Sequence, residues 1–274
     1  MVRARFQYRG GTPPRRRTDR AARQIYAGSS SQGGARPKAT LVEDDGALVL
    51  AKFPSERDLY DVESCEAVAL AVAADAGLLV PDRELRRLTP DRAILLVRRF
   101  DRTASGRLGY QSMRTASELT GMDPYSYDIA AMTARYLSGD RGVEAVVGAA
   151  ALSICVHSVD DHPRNMGFLG GKDGWTVAPL FDVVPFPYEE RGTPLESGDP
   201  DRSLEHLLDL DWGLKKDRVA QIAGTVAQIA RGAWERAPRA FGLDEELAAQ
   251  CGRFIESACD FDTVLDGDEP RFPL

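Results

Sequence analysis

A chain of 274 residues that is 43% hydrophobic and 28% charged, with a formal net charge of −7, can bury a substantial core as one large domain or two lobes. No apolar run approaches the roughly 18 residues of a membrane span, and the basic start "MVRARFQYRGGTPPRRRTDR" lacks the apolar centre of a signal peptide, so the expected location is cytoplasmic. The acidic balance argues against general nucleic-acid binding, while three histidines (His157, His162, His206) and four cysteines without a C-x-x-C pair argue against a zinc cage and for buried reduced thiols.

Residues 1–27 read as an Arg-rich leader, and the charge is uneven: 1–38 is basic and 189–211 acidic. Small residues open the next stretch, "GSSSQGG" at 28–34. Two short runs, "KATLV" and "ALVLAKF", flank the acidic turn "EDDG" and read as a hairpin after a glycine-rich loop. The alanine-rich "VESCEAVALAVAADAG" at 62–77 predicts a helix closed by Gly77. "DRAILLVRRFDR" predicts a strand. The order of strands, helix and strand predicts an α+β lobe over 28–102. The remainder, 103–274, reads as mainly helical, from "PYSYDIAAMTARYLS" and "GVEAVVGAAALSICVHSV" to "RVAQIAGTVAQIARGAWERAPRAF" and "DEELAAQCGRFIESAC". "MGFLGG" and "GWTVAPLFDV" predict a second β pair, and the Pro, Gly and acid content of 186–203 predicts a loop.

The chemistry concentrates in "SVDDHPRNMGF" (158–168) and "PLFDVV" (179–184). Phosphoryl transfer needs the triphosphate held, its charge neutralised by a cation, and the attacking hydroxyl oriented. Protein kinases meet this with a glycine-rich loop, a strand Lys paired with a helix Glu, a base Asp with an Asn five residues on, and a later metal-binding Asp. Each part has a candidate here, in that order. The loop is Gly28 to Gly34. Lys52 ends the apolar run "LVLA", and Glu66 follows fourteen residues later in the predicted helix. Asp160 and Asn165 have the D-x-x-x-x-N spacing, and Asp182 lies seventeen residues further on, at the end of a β run. Mg²⁺ favours hard oxygen ligands, which Asn165 and Asp182 supply. Taken singly, each signal has a bland reading: a turn, an edge lysine, a surface glutamate, a capping pair. Their conjunction points to a kinase that uses ATP and Mg²⁺.

Taken together, these motifs resemble the HipA-like Ser/Thr kinases, toxin components of bacterial toxin–antitoxin systems, over roughly residues 28–260. The resemblance rests on "SSSQGGARPKATL", "LAKFP", "GLLVPDREL", "LLVRRFDR", "VDDHPRNMGF" and "VAPLFDVV", the last two being the most specific. It implies a two-lobed fold similar to eukaryotic protein kinases, with a small β-containing N-lobe and a mostly helical C-lobe. It implies that Asp160 is the base, that Asn165 and Asp182 bind Mg²⁺, and that Lys52 grips the phosphates with Glu66 as its partner. Arg99 and Phe100 would lie at the hinge that meets adenine, with Ser31, Gly33 and Gly34 in the loop over the nucleotide. The family autophosphorylates a loop Ser. Ser31 matches that position and Ser29 is a second candidate. A phosphate there, at about −1.5 to −2 charge, would repel ATP and pair with a cation such as Lys38.

The resemblance also implies partners: a protein substrate, which in the family is an aminoacyl-tRNA synthetase, and a helix-turn-helix antitoxin through which nucleic acid is contacted. Only about 27 residues precede the loop, as in short members whose N-terminal subdomain is absent or supplied by a separate small protein. Asp161 departs from the usual small residue after the base and is expected beside the metal site, where it could bind metal weakly or slow catalysis. Pro163 and Arg164 also depart from the pattern. His162 is expected to pack in the loop and hydrogen-bond backbone. Three other readings stay open: a small-molecule phosphotransferase with the same residues, a catalytically weak pseudokinase acting as an antitoxin-binding module, and DNA contact through residues 1–20. A metal hydrolase built on Asp160, His162 and Asp182 lacks a second His or Cys at ligand spacing.

Overall fold

The computed structural model describes residues 36–43, 45–103, 106–120 and 123–258. Ser29, Ser31, Gly33 and Gly34 lie outside the described residues, as do the Arg-rich leader and Cys259.

The first lobe is a four-stranded antiparallel sheet in the order β1-β2-β4-β3, formed by β1 (Lys38–Val42), β2 (Leu48–Lys52), β3 (Arg83–Thr89) and β4 (Arg92–Arg98). β4 is central and apolar on both faces, as a strand covered on two sides must be. Ile94 and Leu96 pack with Val49, Ala51 and Phe53 on one face. Leu95 and Val97 pack on the other, against Ala67 and Leu70 of helix α1 (Val62–Asp75). The registers Lys38↔Lys52 and Ala51↔Leu96 place Lys52 at the end of the central pairing.

Helix α1 starts at Asp61, whose carboxylate accepts from the Ser64 N–H. It stops where the sequence put a glycine. Gly77 takes φ +79, the Gly77 N–H donates to Ala74 O at 3.0 Å, and the Leu78 N–H donates to Ala73 O at 2.9 Å. That pair of bonds satisfies the last carbonyls and needs a left-handed residue at position 77.

The second lobe is built around α3 (Tyr127–Cys155), which is broken at Gly139 (φ 64, ψ −155), so the two predicted helices abut there. Residues 146–155 of α3 are buried throughout, and α5 (Lys216–Arg231), α6 (Ala233–Phe241) and α7 (Glu245–Ala258) enclose them with the short α4 (Leu204–Asp209). The segment predicted as one helix from 218 to 241 is two, because the chain turns at Gly232. The expected β pair is present as β8 (Gly167–Gly171) and β9 (Gly174–Val177). A third strand that the sequence did not announce, β7 (Gly109–Ser112), pairs with β8 and runs into α2 (Met113–Ala116). A two-residue hairpin, β5 (Arg102–Thr103) with β6 (Gly106–Arg107), links the lobes. Among the described residues no helix is long and apolar enough to cross a membrane, and Cys65, Cys155 and Cys251 are buried thiols. This is the expected α+β, two-lobed arrangement.

Candidate active site

Lys52 leaves the end of β2 and meets two acids, one from each lobe. Its ammonium donates to Glu66 Oε1 at 2.6 Å and Oε2 at 2.8 Å, and it also donates to Asp182 Oδ1. The Asp182 N–H donates back to Glu66 Oε1 at 3.1 Å. Residues 52, 66 and 182, spread over 130 positions, therefore close on one another across the junction of the lobes. Glu66 is almost sealed, at 3% exposure, while Asp182 keeps 35% of its side chain in contact with solvent.

The electrostatics follow from two carboxylates sharing one ammonium. Burial would depress the Lys52 ammonium, but Glu66 and Asp182 overcome it and hold its pKa above the ordinary lysine value. Burial pushes the Glu66 carboxyl up against the pull of Lys52. At Asp182 burial acts upward too, but Lys52, then Lys38 and His162, hold the carboxyl below the usual range. The group is left with a net charge of −1 and an open edge at Asp182.

Asp182 is also one of three non-glycine residues with positive φ among those described, at 57°. Such backbone costs energy and persists only where the surroundings enforce it. Phe181 supplies part of that enforcement by packing against Phe100 (ring centroids 5.7 Å apart) and Tyr110 (6.5 Å).

The second half of the site is the loop after α3. The Asp160 carboxylate is 81% exposed, with His162 Nε2 at 3.9 Å. The Asn165 amide nitrogen donates to the Asp160 carbonyl at 2.8 Å, which turns the amide oxygen away from that bond and leaves it able to ligate a cation. Backbone bonds anchor the loop: Arg114 N–H to Pro163 O at 2.8 Å and Met113 N–H to Met166 O at 2.7 Å. The bridge Ser158–Pro185 joins it to the chain leaving Asp182. His162 lies beside Asp160 and close enough to Asp182 that an imidazolium there would lower the Asp182 carboxyl. Oxygen donors at Asp182 and Asn165, beside a net negative group, match the chemistry of a small hard cation, and so fit Mg²⁺.

Arg99 and Phe100 sit where β4 ends. The Arg99 N–H bonds Leu48 O at 2.8 Å, and its guanidinium is a fork on Asp101 at 2.8 and 2.7 Å. The Arg99 side chain is therefore engaged with Asp101, and Phe100 belongs to the aromatic group behind Asp182.

Two expectations are corrected. Asp161 is not an extra carboxylate at the metal site. It points inward and accepts from Tyr127 Oη (2.7 Å), Ser153 Oγ (2.5 Å), Arg202 Nη2 (2.8 Å) and the Thr193 N–H (2.9 Å). Burial would raise its carboxyl, but Arg202 and these donors hold it below the usual range. Among the described residues the expected backbone hydrogen bond of the His162 ring does not form either, and its Nδ1 is buried without a partner there.

Residues missed in the sequence also contribute. Tyr60 Oη donates to Pro185 O at 2.9 Å, tying the start of α1 to the chain after Asp182. Arg36, directly after the serine-rich loop, bonds Glu63 Oε1 at 3.2 Å and also pairs with Asp58. Burial pushes the Glu63 carboxyl up to about 7 against the pull of Arg36. Glu63 lies three residues before Glu66 on the same helix, the one local signal that could have singled it out.

No curated protein matches the chain significantly. Among solved structures, the HipA chain from the Shewanella oneidensis MR-1 toxin–antitoxin complex of HipA, HipB and operator DNA superposes with a TM-score of 0.67 at 15% identity, over 94% of this chain and 73% of that one. The Helicobacter pylori proinflammatory kinase CtkA superposes with a TM-score of 0.63 at 14% identity, over 86% of this chain and 92% of that one. Both likenesses are of fold, and the fold is kinase-like. The family model of the HipA-like C-terminal domain matches residues 30–234, a span that holds Lys52, Glu66, Asp160, Asn165 and Asp182, and the chain therefore belongs to the HipA-like C-terminal domain family.

Proposed function

We propose that the protein is an ATP- and Mg²⁺-dependent serine/threonine protein kinase of the HipA-like toxin type. The observation that carries this reading is the meeting of Lys52, Glu66 and Asp182 across the lobes, with the exposed carboxylate of Asp160 linked to the same cleft through His162. Bound Mg-ATP would supply the transferable phosphoryl group and the cation that neutralises its charge. Lys52 grips phosphate oxygens while Glu66 keeps its ammonium charged and aimed. Asp182 and the amide oxygen of Asn165 would hold the cation. Asp160 would orient the substrate hydroxyl and take its proton as that oxygen bonds to the γ-phosphorus and the bond from phosphorus to the bridging oxygen of ADP breaks, releasing ADP. Phe100 and the Arg99 backbone border the adenine end.

The acceptor is a protein side chain, and the candidate serines, Ser31 and Ser29, lie in the loop that precedes the cleft-bordering β1. Phosphate on either would bring about −1.5 to −2 charge toward Lys38 and away from ATP. The partner expected from the family is a helix-turn-helix antitoxin, as the HipA chain superposed above is found with HipB and operator DNA.

The test is mass spectrometry of purified protein after incubation with Mg-ATP. Phosphate on Ser29 or Ser31 that is lost with Asp160→Ala supports the reading. A chain that binds Mg-ATP yet phosphorylates only a small-molecule alcohol would replace it with the phosphotransferase alternative. A chain that binds no Mg-ATP would replace it with the pseudokinase one.

A further inference from the structure

Adjacent acids in the loop after α3 have opposite fates. The Asp160 carboxylate faces solvent, whereas Asp161 is 12% exposed and enclosed by donors from three places. Tyr127 comes from the start of α3, Ser153 from its end, and Thr193 and Arg202 from the irregular segment after Asp182. The Thr193 hydroxyl also donates to the Asp161 main-chain carbonyl at 3.1 Å.

Arg202 does more than neutralise Asp161. The same Nη2 that reaches Asp161 at 2.8 Å donates to the Ser158 carbonyl at 2.7 Å. Ser158 lies two residues before Asp160 and Asp161 one residue after it. One guanidinium, 87% buried by the complement of its 13% exposure, therefore holds the chain on both sides of the exposed carboxylate. A backbone fixed at 158 and 161 leaves Asp160 little room to turn.

The segment carrying Arg202 is itself seated closely. A Cβ at Gly192 would lie 2.4 Å from the Arg202 guanidinium. The Tyr127 and Asp128 N–H groups donate to Pro194 O and Leu195 O at 3.0 and 2.9 Å. The same segment borders a cavity of about 660 Å³, which Arg202 lines together with Gly192, Pro194, His157, Asp199 and Phe254.

We propose that Arg202 is a positioning residue for phosphoryl transfer: by holding Ser158 and Asp161 it fixes the direction of the Asp160 carboxylate and makes turnover depend on how residues 189–203 are seated. The inference rests on Asp160 acting as the base. Among the described residues none of the hydrogen bonds Arg202 makes reaches Lys52, Glu66 or Asp182, so nucleotide binding and turnover should separate. In Arg202→Met, affinity for Mg-ATP stays within about twofold of the parent. Phosphoryl transfer at saturating Mg-ATP falls about 100-fold, the scale on which a positioned proton acceptor contributes. Arg202→Lys restores little, because an ammonium lacks the planar fork of donors. Asp161→Asn combined with Arg202→Met is no slower than the slower single variant, since both break one linkage.

Hydrogen–deuterium exchange separates this proposal from the kinase reading. In Arg202→Met the amides of 158–165 exchange at least tenfold faster, while those of β8 and β9 keep the parent rate. Where Arg202→Met does not fold, Arg202→Lys carries the same measurements. Unchanged exchange at 158–165, or loss of nucleotide affinity in step with turnover, overturns the positioning role and leaves the kinase reading in place. Faster exchange at 158–165 in Arg202→Met, with a parent protein that transfers no phosphate, upholds the grip and overturns the kinase reading.

Discussion

Replacing Lys52 with Met tests whether the three charges at the lobe junction act as one group. Glu66 is 3% exposed, and both its oxygens are on the Lys52 ammonium, at 2.6 and 2.8 Å. Without that ammonium its remaining partner is the Asp182 N–H at 3.1 Å. Removing one side of a buried ion pair leaves a charge that cannot be solvated, at a cost of about 3–5 kcal/mol. That is a large share of the roughly 5–15 kcal/mol by which domains are stable. Asp182, a third exposed and reached by the charges of Lys38 and His162, adds little. The penalty depends on pH. Without Lys52 the Glu66 carboxyl rises further above its unfolded value, so the folded form keeps its proton over a range where the unfolded form has lost it. Stability of the variant is therefore retained at pH 4.5 and falls as pH rises toward neutrality. Lys52→Met with Glu66→Leu removes the stranded charge and recovers most of the loss. The double-mutant coupling should exceed about 2 kcal/mol, while all three variants fail to bind Mg-ATP. Urea unfolding at pH 5 and pH 8, with nucleotide titration alongside, measures each term. A loss below 1 kcal/mol at pH 8, or additive single and double variants, would refute the account of Lys52 as the counter-ion of a sealed carboxylate.

Glu63, held up at about 7 by burial, binds a proton in the folded chain between its unfolded pKa near 4.5 and pH 7, so the protein loses up to about 3 kcal/mol over that window as pH rises. In Glu63→Gln that slope disappears from urea midpoints, and a slope equal to that of the parent would contradict it. Asp182→Asn leaves the Lys52–Glu66 pair in place, so thermal unfolding should shift by no more than about 2 °C, while Mg²⁺-dependent ATP affinity falls at least tenfold by calorimetry. Gly167→Ala sets a Cβ 2.5 Å from Tyr110 Oη and 2.6 Å from Gln111 O. The backbone oxygen cannot yield without parting β7 from β8, so a loss of about 1–3 kcal/mol is expected in thermal unfolding, and an unchanged midpoint would show that the pairing is looser than described.

The elements that could be read in advance are those whose signal is local. β4 shows as an unbroken apolar run because both its faces are covered, and α1 shows its end because a left-handed residue is needed there. β3 stayed hidden because "RELRRLT" carries four charged side chains in seven positions. As an edge strand it has one neighbour, so Glu84 and Arg86 can face solvent while Arg83 and Arg87 reach inward to Leu70 O and Asp61. β7 is only four residues long, too short for alternation to register. The single helix read from 218 to 241 failed at Gly232, where apolar spacing continues although the backbone turns.

The site divides along the same line. Lys52, Glu66, Asp160, Asn165 and Asp182 could be picked out because the chemistry dictates their types and order, and contact across 130 positions then follows from the fold. Asp161 could not be placed, since a second carboxylate beside the first has no local preference for one side of the loop. Its direction is decided by Thr193 and Arg202, 32 and 41 residues away, in a stretch without periodicity. An exposed carboxylate is worth little as a proton acceptor unless its backbone is held, because each rotation away from the hydroxyl dilutes the reactive geometry. The buried neighbour supplies that restraint at a distance from the cleft. The donors that bury Asp161 are thus the same ones that, on the proposed reading, would hold Asp160 as the base, and a sequence pattern that picks out the candidate acid says nothing of the residues that would aim it.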